Sequence, residues 1–488
     1  MKKQITYAIV LATILSLVFA GCSKQLEENP VAQFTISSLN ANTLNALVTG
    51  AYEPLARSRG RLWESRLTVE LESMSEYAFT EPGDVLINTY VSLNTKVANS
   101  GFDPIWTTFY QAIGRSNLLL KAIEDDKVMT DASKQVAKGE ALFIRSLCYF
   151  WVVRTWGPVP LRLTPISGSA DVNLAVSDIN AIYTQIIADL KLAETYLPEK
   201  VTAANAGRAT AGAAKMMLAD IYLNLKDYTN AKAKAKEVID NKSAYGYDLV
   251  SSLETLYSPT AATNSEDIFS IKFDQIAGFG FFVPAYAAES RAKDAGLAAR
   301  GLFVLGTRKT VPLIAGWDTQ DLRRDFNLYN MVTIGGKKVP AILTHGNDYF
   351  WGKYKDPNAA DEVGAGNDFY LYRYAEALMI FAEAENQLNG PTADAYNAIN
   401  QVRRRGYGVP TTTASALADL PAGLTKTAFD DLVFRERGYE FFFEVKRWFD
   451  MERTGRTAAY TAAAGKAVPT EHYYQIPDVE KQNNTAIK

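Results

Sequence analysis

Apolar residues recur at helical spacing over most of the chain, and these stripes predict a helical protein. Leu44, Leu47, Val48 and Tyr52 share one face of a helix predicted over 42–57. Ile105, Phe109, Ile113 and Leu120 mark a second over 104–123. The stretch 132–156 is apolar nearly all round, as expected of a helix buried on most sides. Gly157-Pro158 ends it, and Pro198 ends another helix predicted over 174–197. Leu218-Ala219, Tyr222, Asp227-Tyr228 and Ala231 have the spacing of a tetratricopeptide helix–turn–helix, with Lys226-Asp227 as its turn. The stretch 374–405 repeats that layout around a break at Asn389-Gly390-Pro391. A last helix is predicted without interruption over 429–453, with Phe441, Phe442, Val445, Trp448 and Phe449 on its core face. Several hairpins of this kind in one chain predict a small solenoid.

Two stretches break the periodicity. Residues 58–101 are rich in Gly, Ser, Asn, Thr and aromatics and read as loop with short helical pieces. Residues 241–369 contain Pro259, Pro284, Pro312, Pro340 and Pro357 and few sustained periods. So long a structureless stretch is abnormal in a compact domain. It is expected to form a second layer of short helices, loops and hairpins on the helical scaffold, where binding sites are built.

The N-terminus has another character. Lys2 and Lys3 precede a nearly unbroken apolar run over 7–20, followed by Phe19-Ala20-Gly21-Cys22. The run is shorter than the roughly 20 residues a spanning helix needs. It reads as a signal peptide over 1–21, with Cys22 as the lipidated residue, although Phe19 stands where such signals usually carry Leu. Residues 22–37, polar and with Pro30, read as a tether, and 38–488 as one domain: scaffold over about 38–240 and 370–455, loop-rich insertion over about 241–369.

Composition narrows the function classes. Hydrophobic content of 48% and charged content of 22% are globular, and a net charge of −3 gives no footprint for nucleic acid. With Cys22 lipidated, Cys148 has no partner for a disulfide and sits in an apolar helical run as a small hydrophobe. Two histidines, His345 and His472, and no metal-ligand or nucleophile motif leave neither a zinc site nor a Ser-His-Asp triad as a natural reading. No catalytic residue, metal or cofactor is therefore assigned. Glu440 and Glu444 lie one turn apart, as a glycosidase pair would. Their surroundings of Arg435, Arg437, Lys446 and Arg447 favour structural ion pairing. Asp356, Asp361, Glu362 and Asp368 form an acidic loop that could hold calcium, without the EF-hand pattern.

The chain has 26 Tyr, 23 Phe and 7 Trp, and several fall in the two irregular stretches. Flat aromatic faces stack on sugar rings or peptide side chains while neighbouring Asn, Asp and Arg satisfy polar groups. The expected ligand-binding set is Trp63, Tyr77, Phe79, Tyr90, Phe281, Tyr286, Trp317 and Trp351, with Phe279, Phe282, Phe350 and Tyr354 as further candidates.

Several segments together carry a family resemblance. They are Gly139-Glu140-Ala141 with Arg145, Trp156-Gly157-Pro158, Gly207-Arg208-Ala209-Thr210, Arg373-Tyr374-Ala375-Glu376-Ala377, and Arg435-Glu436-Arg437 through Arg447-Trp448-Phe449-Asp450 to Arg453-Thr454-Gly455. In this order the chain resembles the SusD/RagB family of nutrient-binding outer-membrane lipoproteins. The resemblance implies a mainly α fold of tetratricopeptide-like hairpins with a loop-rich ligand face. It implies a lipid anchor on the outer face of the outer membrane and a SusC-like TonB-dependent transporter as partner. It also implies glycan binding without chemistry, with peptide binding as the alternative and a glycoside hydrolase as a more distant one. The family's usual Gln-Asn-Pro-Gly-Tyr-like ending is missing around Asn483-Asn484, which leaves the C-terminal contact open.

Overall fold

The computed structural model describes residues 39–56, 62–80, 102–168, 171–261, 263–302, 304–343 and 346–487. The predicted signal peptide, Cys22, the tether, Tyr90 and His345 lie outside the described residues. The fold is mainly α, and its elements are named here in chain order. The first part runs α1 (Ala41–Ala56), α2 (Arg66–Ser73), β1 (Phe79–Thr80), α3 (Phe102–Asp125), α4 (Asp131–Trp156), α5 (Ile179–Tyr196), α6 (Ala211–Asn224) and α7 (Tyr228–Asp240).

Local chemistry starts and stops these helices where the sequence suggests. Thr130, Asp178, Thr210 and Asp227 each accept a backbone N–H of the first turn of the following helix. Gly157 closes α4 with a φ of 75°. α4 is buried around most of its circumference, which suits its all-round apolar pattern. Its polar members are paired: Arg145 forks onto Asp189 of α5 at 2.8 and 2.9 Å. α6 and α7 form the predicted hairpin, and Ala219, Ala231 and Ala235 are fully buried, so small side chains let the two helices approach. α5 begins at Ile179, later than the predicted 174. Leu174 instead has an extended segment's role, exchanging two backbone hydrogen bonds with the Asn484 side chain at 3.0 and 2.8 Å. The C-terminal segment is thereby docked despite its unusual sequence.

The irregular stretch adds α8 (Lys242–Tyr245), α9 (Leu253–Leu256), β2 (Asp267–Ile271), α10 (Val283–Ala287), β3 (Leu305–Thr307), α11 (Pro312–Ala315), α12 (Leu322–Asn327), β4 (Leu328–Tyr329), β5 (Met331–Ile334), β6 (Lys337–Pro340), β7 (Tyr349–Trp351) and β8 (Phe369–Arg373). β1, β3, β7 and β4 form a small antiparallel sheet in that order, which ties the 62–80 region to the insertion. β5 and β6 form a hairpin turned by Gly335-Gly336, both at positive φ as a two-residue turn requires. β2 and β8 pair antiparallel at the root of the insertion.

The chain then returns to helices: α13 (Tyr374–Asn389), α14 (Ala393–Gly406), α15 (Lys426–Glu440), α16 (Arg447–Thr454), α17 (Thr457–Ala463) and α18 (Asp478–Asn483). α13 packs directly on α7. The helical row therefore continues across the insertion as though the insertion were absent, and the loop layer is looped out from one joint of the solenoid.

The predicted continuous helix over 429–453 is corrected: α15 ends at Glu440 and α16 starts at Arg447. Between them Phe443 and Val445 take left-handed backbone angles, φ 61° and 59°. Such angles are costly for bulky and β-branched residues. Tertiary partners hold them: Phe443 N–H donates to the Tyr77 hydroxyl at 3.3 Å and Val445 N–H to the Glu72 carboxylate. The apolar stripe over 441–449 is buried as expected, but by a turn rather than by a helix.

Candidate ligand-binding face

The aromatic residues of the irregular stretches serve mainly as core. Trp63 is fully buried edge-on against Phe109 of α3 and Trp151 of α4, and so pins the 62–80 region to the scaffold. Tyr77 stacks on Phe442 with ring centres 4.5 Å apart and donates its hydroxyl to Glu72 at 2.5 Å. Phe79 is buried beneath the Arg308 guanidinium, 4.2 Å from the ring centre. Phe281 stacks on Phe273, Trp317 on Tyr439, and Trp351 lies edge-on to Tyr77, Phe442 and Phe443. Trp317 also donates its indole N–H to Asp321 at 3.1 Å. Phe350 and Tyr354 are buried too.

The expected exposed platform of Trp63, Tyr77, Phe79, Phe281, Trp317 and Trp351 is thus corrected to a buried one. The physical reason is general. A loop layer lacks long ladders of backbone hydrogen bonds, so large apolar side chains anchor it, each burying 150–250 Å².

A smaller aromatic group remains at the surface. Phe279 is 64% exposed, beside Ile276 at 53%. Its turn is rigidly tethered: Phe279 N–H donates to the Ile276 carbonyl at 3.0 Å, Gly280 N–H to the Val363 carbonyl at 2.8 Å and Gly278 N–H to Asp361 at 3.2 Å. Gly280 lies so close to the 364–365 backbone that a Cβ there would come within 2.5 Å of the Ala365 carbonyl. Arg300 and Glu362 form an exposed ion pair at 2.7 Å next to this segment. Half-buried Phe282 and Tyr286 follow in the chain, their rings 4.8 Å apart. Of the eight aromatics first expected to bind ligand, seven fall within the described residues, and among these only Tyr286 is not buried. Phe279 stands between two glycines in Gly278-Phe279-Gly280, but Trp317 also follows a glycine and is buried, so no local signal separates the two.

The acidic loop does not assemble a cation site. Asp356 accepts from Gln275, Asn358 N–H and Gly366 N–H. Asp361 accepts from Val363 N–H as well as Gly278 N–H, Glu362 pairs with Arg300, and Asp368 pairs with Lys272 at 2.7 Å. Each carboxylate is thus spent on protein donors, and among the described residues no cluster of metal-ligating side chains occurs.

Beneath the loop layer lies a buried ion network. Arg373 donates to Glu444 through Nε and Nη2, both at 2.9 Å, and to Glu440 at 2.9 Å. Arg323 reaches Glu440 at 3.0 Å, Glu436 at 2.6 Å and Asp321 at 2.7 Å; Arg405 joins Glu266 and Glu440, and Lys353 meets Glu444 at 2.5 Å. Burial opposes ionisation of Glu440, but Arg405, Arg373 and Arg323 outweigh it and hold the carboxyl well below the usual range. Burial likewise opposes ionisation of Glu444, and Arg373 and Lys353 prevail. A general acid needs a raised pKa and access to the scissile bond. These two carboxylates have neither, and their geometry is that of structural ion pairs.

Comparison with known proteins agrees in order along the chain. Residues 26–223 match the family described as "Starch-binding associating with outer membrane", and residues 338–487 match the SusD family. SusD-like protein P2 of Formosa agariphila is 26% identical over 475 residues, covering 93% of this chain and 90% of the relative. A laminarin-binding SusD-like protein shares the fold with a TM-score of 0.76 at 22% identity, covering 92% of this chain and 99% of its own. Surface glycan-binding protein A from Bacteroides thetaiotaomicron, solved with laminarihexaose, does so with a TM-score of 0.73 at 18% identity, covering 90% and 97%. Helical scaffold, looped-out insertion and both sequence matches lead to one assignment: this chain belongs to the SusD family.

Proposed function

We propose that the chain is a cell-surface glycan-binding lipoprotein, anchored to the outer membrane through lipid on Cys22, that delivers oligosaccharides to a SusC-like TonB-dependent transporter. Family membership carries this reading; relatives include proteins named for laminarin and glycan binding. The exposed Phe279 supports it by offering aromatic surface next to an exposed guanidinium and carboxylate, and half-buried Phe282 and Tyr286 add further aromatic surface in the loop layer. The commitment of Glu440 and Glu444 to the ion network supports binding over glycoside hydrolysis at that pair.

The test is affinity electrophoresis of the chain lacking residues 1–21 in gels cast with laminarin and other polysaccharides, with reducing ends assayed in parallel. Retardation without sugar release is expected. Sugar release that disappears in Glu440→Gln would overturn the binding-only reading. Saturable binding of oligopeptides with no retardation by any polysaccharide would replace the glycan by a peptide.

A further inference from the structure

A cavity lies where the root of the insertion meets the scaffold. It has a volume of about 280 Å³ and sits between the 199–210 segment, the end of α8 and the start of β2. Its polar lining has unspent capacity. Asp267 has a side chain only 8% exposed, and its Oδ2 accepts from Ser270 at 2.9 Å and Lys272 at 2.6 Å. Its Oδ1 takes no hydrogen bond among the described residues. The Tyr245 hydroxyl likewise makes none there, and its ring leans on Tyr247 with centres 5.4 Å apart. Asn264 donates one amide hydrogen to the Tyr370 hydroxyl at 2.7 Å and keeps the other.

The cavity is built into the backbone. Gly212 admits the Tyr247 hydroxyl, which lies 2.5 Å from where a Cβ would stand. Gly207, at φ 85°, lets the 204–208 strap pass the Lys272 side chain, which a Cβ would meet at 2.9 Å. That strap separates the cavity from another of about 340 Å³ beside Tyr52 and Lys272.

The half-buried cations nearby, Arg208 and Lys272, are already committed, while Lys200 lies exposed at the rim. Arg208 donates to Asn45 at 2.7 Å and Thr49 at 3.1 Å and pairs with Glu140 at 3.5 Å. Lys272 is held between Asp267 and Asp368. No spare buried positive charge remains for an anion, and an acceptor carboxylate faces the space. The volume lies just below the range of drug-sized pockets. Two tyrosines, a carboxylate oxygen and an amide hydrogen around a space of this size suit one polyhydroxylated ring. We infer that the cavity bounded by Tyr245, Tyr247, Asn264 and Asp267 is a second carbohydrate site that takes a single neutral sugar residue.

The test uses saturation-transfer NMR with methyl β-D-glucoside, methyl β-D-galactoside and methyl α-D-mannoside at millimolar concentration on the whole mature chain. At least one glycoside is expected to give signal. That signal should fall at least fivefold in Tyr245→Phe, which removes one hydroxyl. It should fall equally in Thr263→Trp, a bulky plug at an exposed rim position, and it should persist in Phe279→Ala. No signal in the parent chain, or a signal indifferent to both Tyr245→Phe and Thr263→Trp, overturns the second site. Retardation by polysaccharide is scored separately, so loss of the loop-face reading and loss of this one are told apart.

Discussion

Phe279 and Trp317 come from similar glycine-bearing surroundings, yet the fold gives them opposite tasks. Phe279 projects from a tethered turn with most of its surface in water. Phe279→Ala should weaken polysaccharide retardation about tenfold or more while shifting stability by no more than about 0.5 kcal/mol, as exposed substitutions do. Trp317 is stacked on Tyr439 and hydrogen-bonded to Asp321. Trp317→Ala should cost about 3–5 kcal/mol, read as a large drop in melting temperature, and Trp63→Ala should behave the same way. The aromatic list was legible in the sequence, but the partition between core and face was not. In irregular segments no periodicity says which way a side chain points.

At the scale of elements, helix ends follow local chemistry closely. The caps at Thr130, Thr210 and Asp227 and the stop at Gly157 all act within a few residues. One turn is suboptimal. Lys226, exposed after α6, sits at φ 59° while Asp227 N–H bonds the Tyr222 carbonyl at 2.9 Å, the wrapping normally supplied by glycine. Lys226→Gly should therefore stabilise the chain by about 1 kcal/mol, seen as a rise in the chemical-denaturation midpoint. The break at 441–446 is the opposite case. Its residues favour helix by pattern, and the left-handed angles at Phe443 and Val445 exist because Glu72 and Tyr77, more than 360 residues earlier, receive their N–H groups. No local reading of the chain reaches that far.

At the scale of the molecule, buried charge ties the loop layer to the scaffold and makes stability depend on pH. Burial pushes Glu72 up to about 7, against the hydrogen bonds it accepts from Tyr77 and Val445. Burial likewise raises Glu140 to about 7, with Arg208 opposing, and Asp368 to about 6, with Lys272 opposing. For an acid raised by folding, the native state holds its proton more tightly. Its stabilising contribution is complete below the ordinary carboxylate range and is lost as pH rises through the folded value. Between about pH 4.5 and 7, Glu72 thus makes the protein less stable as pH increases. Glu72→Gln, which mimics the protonated acid, should flatten that part of the stability–pH curve in denaturation measured from pH 4.5 to 8. The proposed lipid anchor belongs to the same scale: Cys22→Ala should leave polysaccharide affinity intact and release the protein from membranes, measured by fractionation.

The sequence by itself determined most of the helices, the hairpin repeat and the two irregular stretches, because helical periodicity and capping are written within a few residues. Its ordered motifs also pointed to the SusD family. Only the tertiary structure decided that α7 and α13 are neighbours across the insertion. Only it placed Glu440 and Glu444 in an ion network drawn from distant segments, and left Phe279 outside while Trp63 and Trp351 went in. Those outcomes depend on which surfaces meet, and contact between residues far apart in the chain carries no local signature.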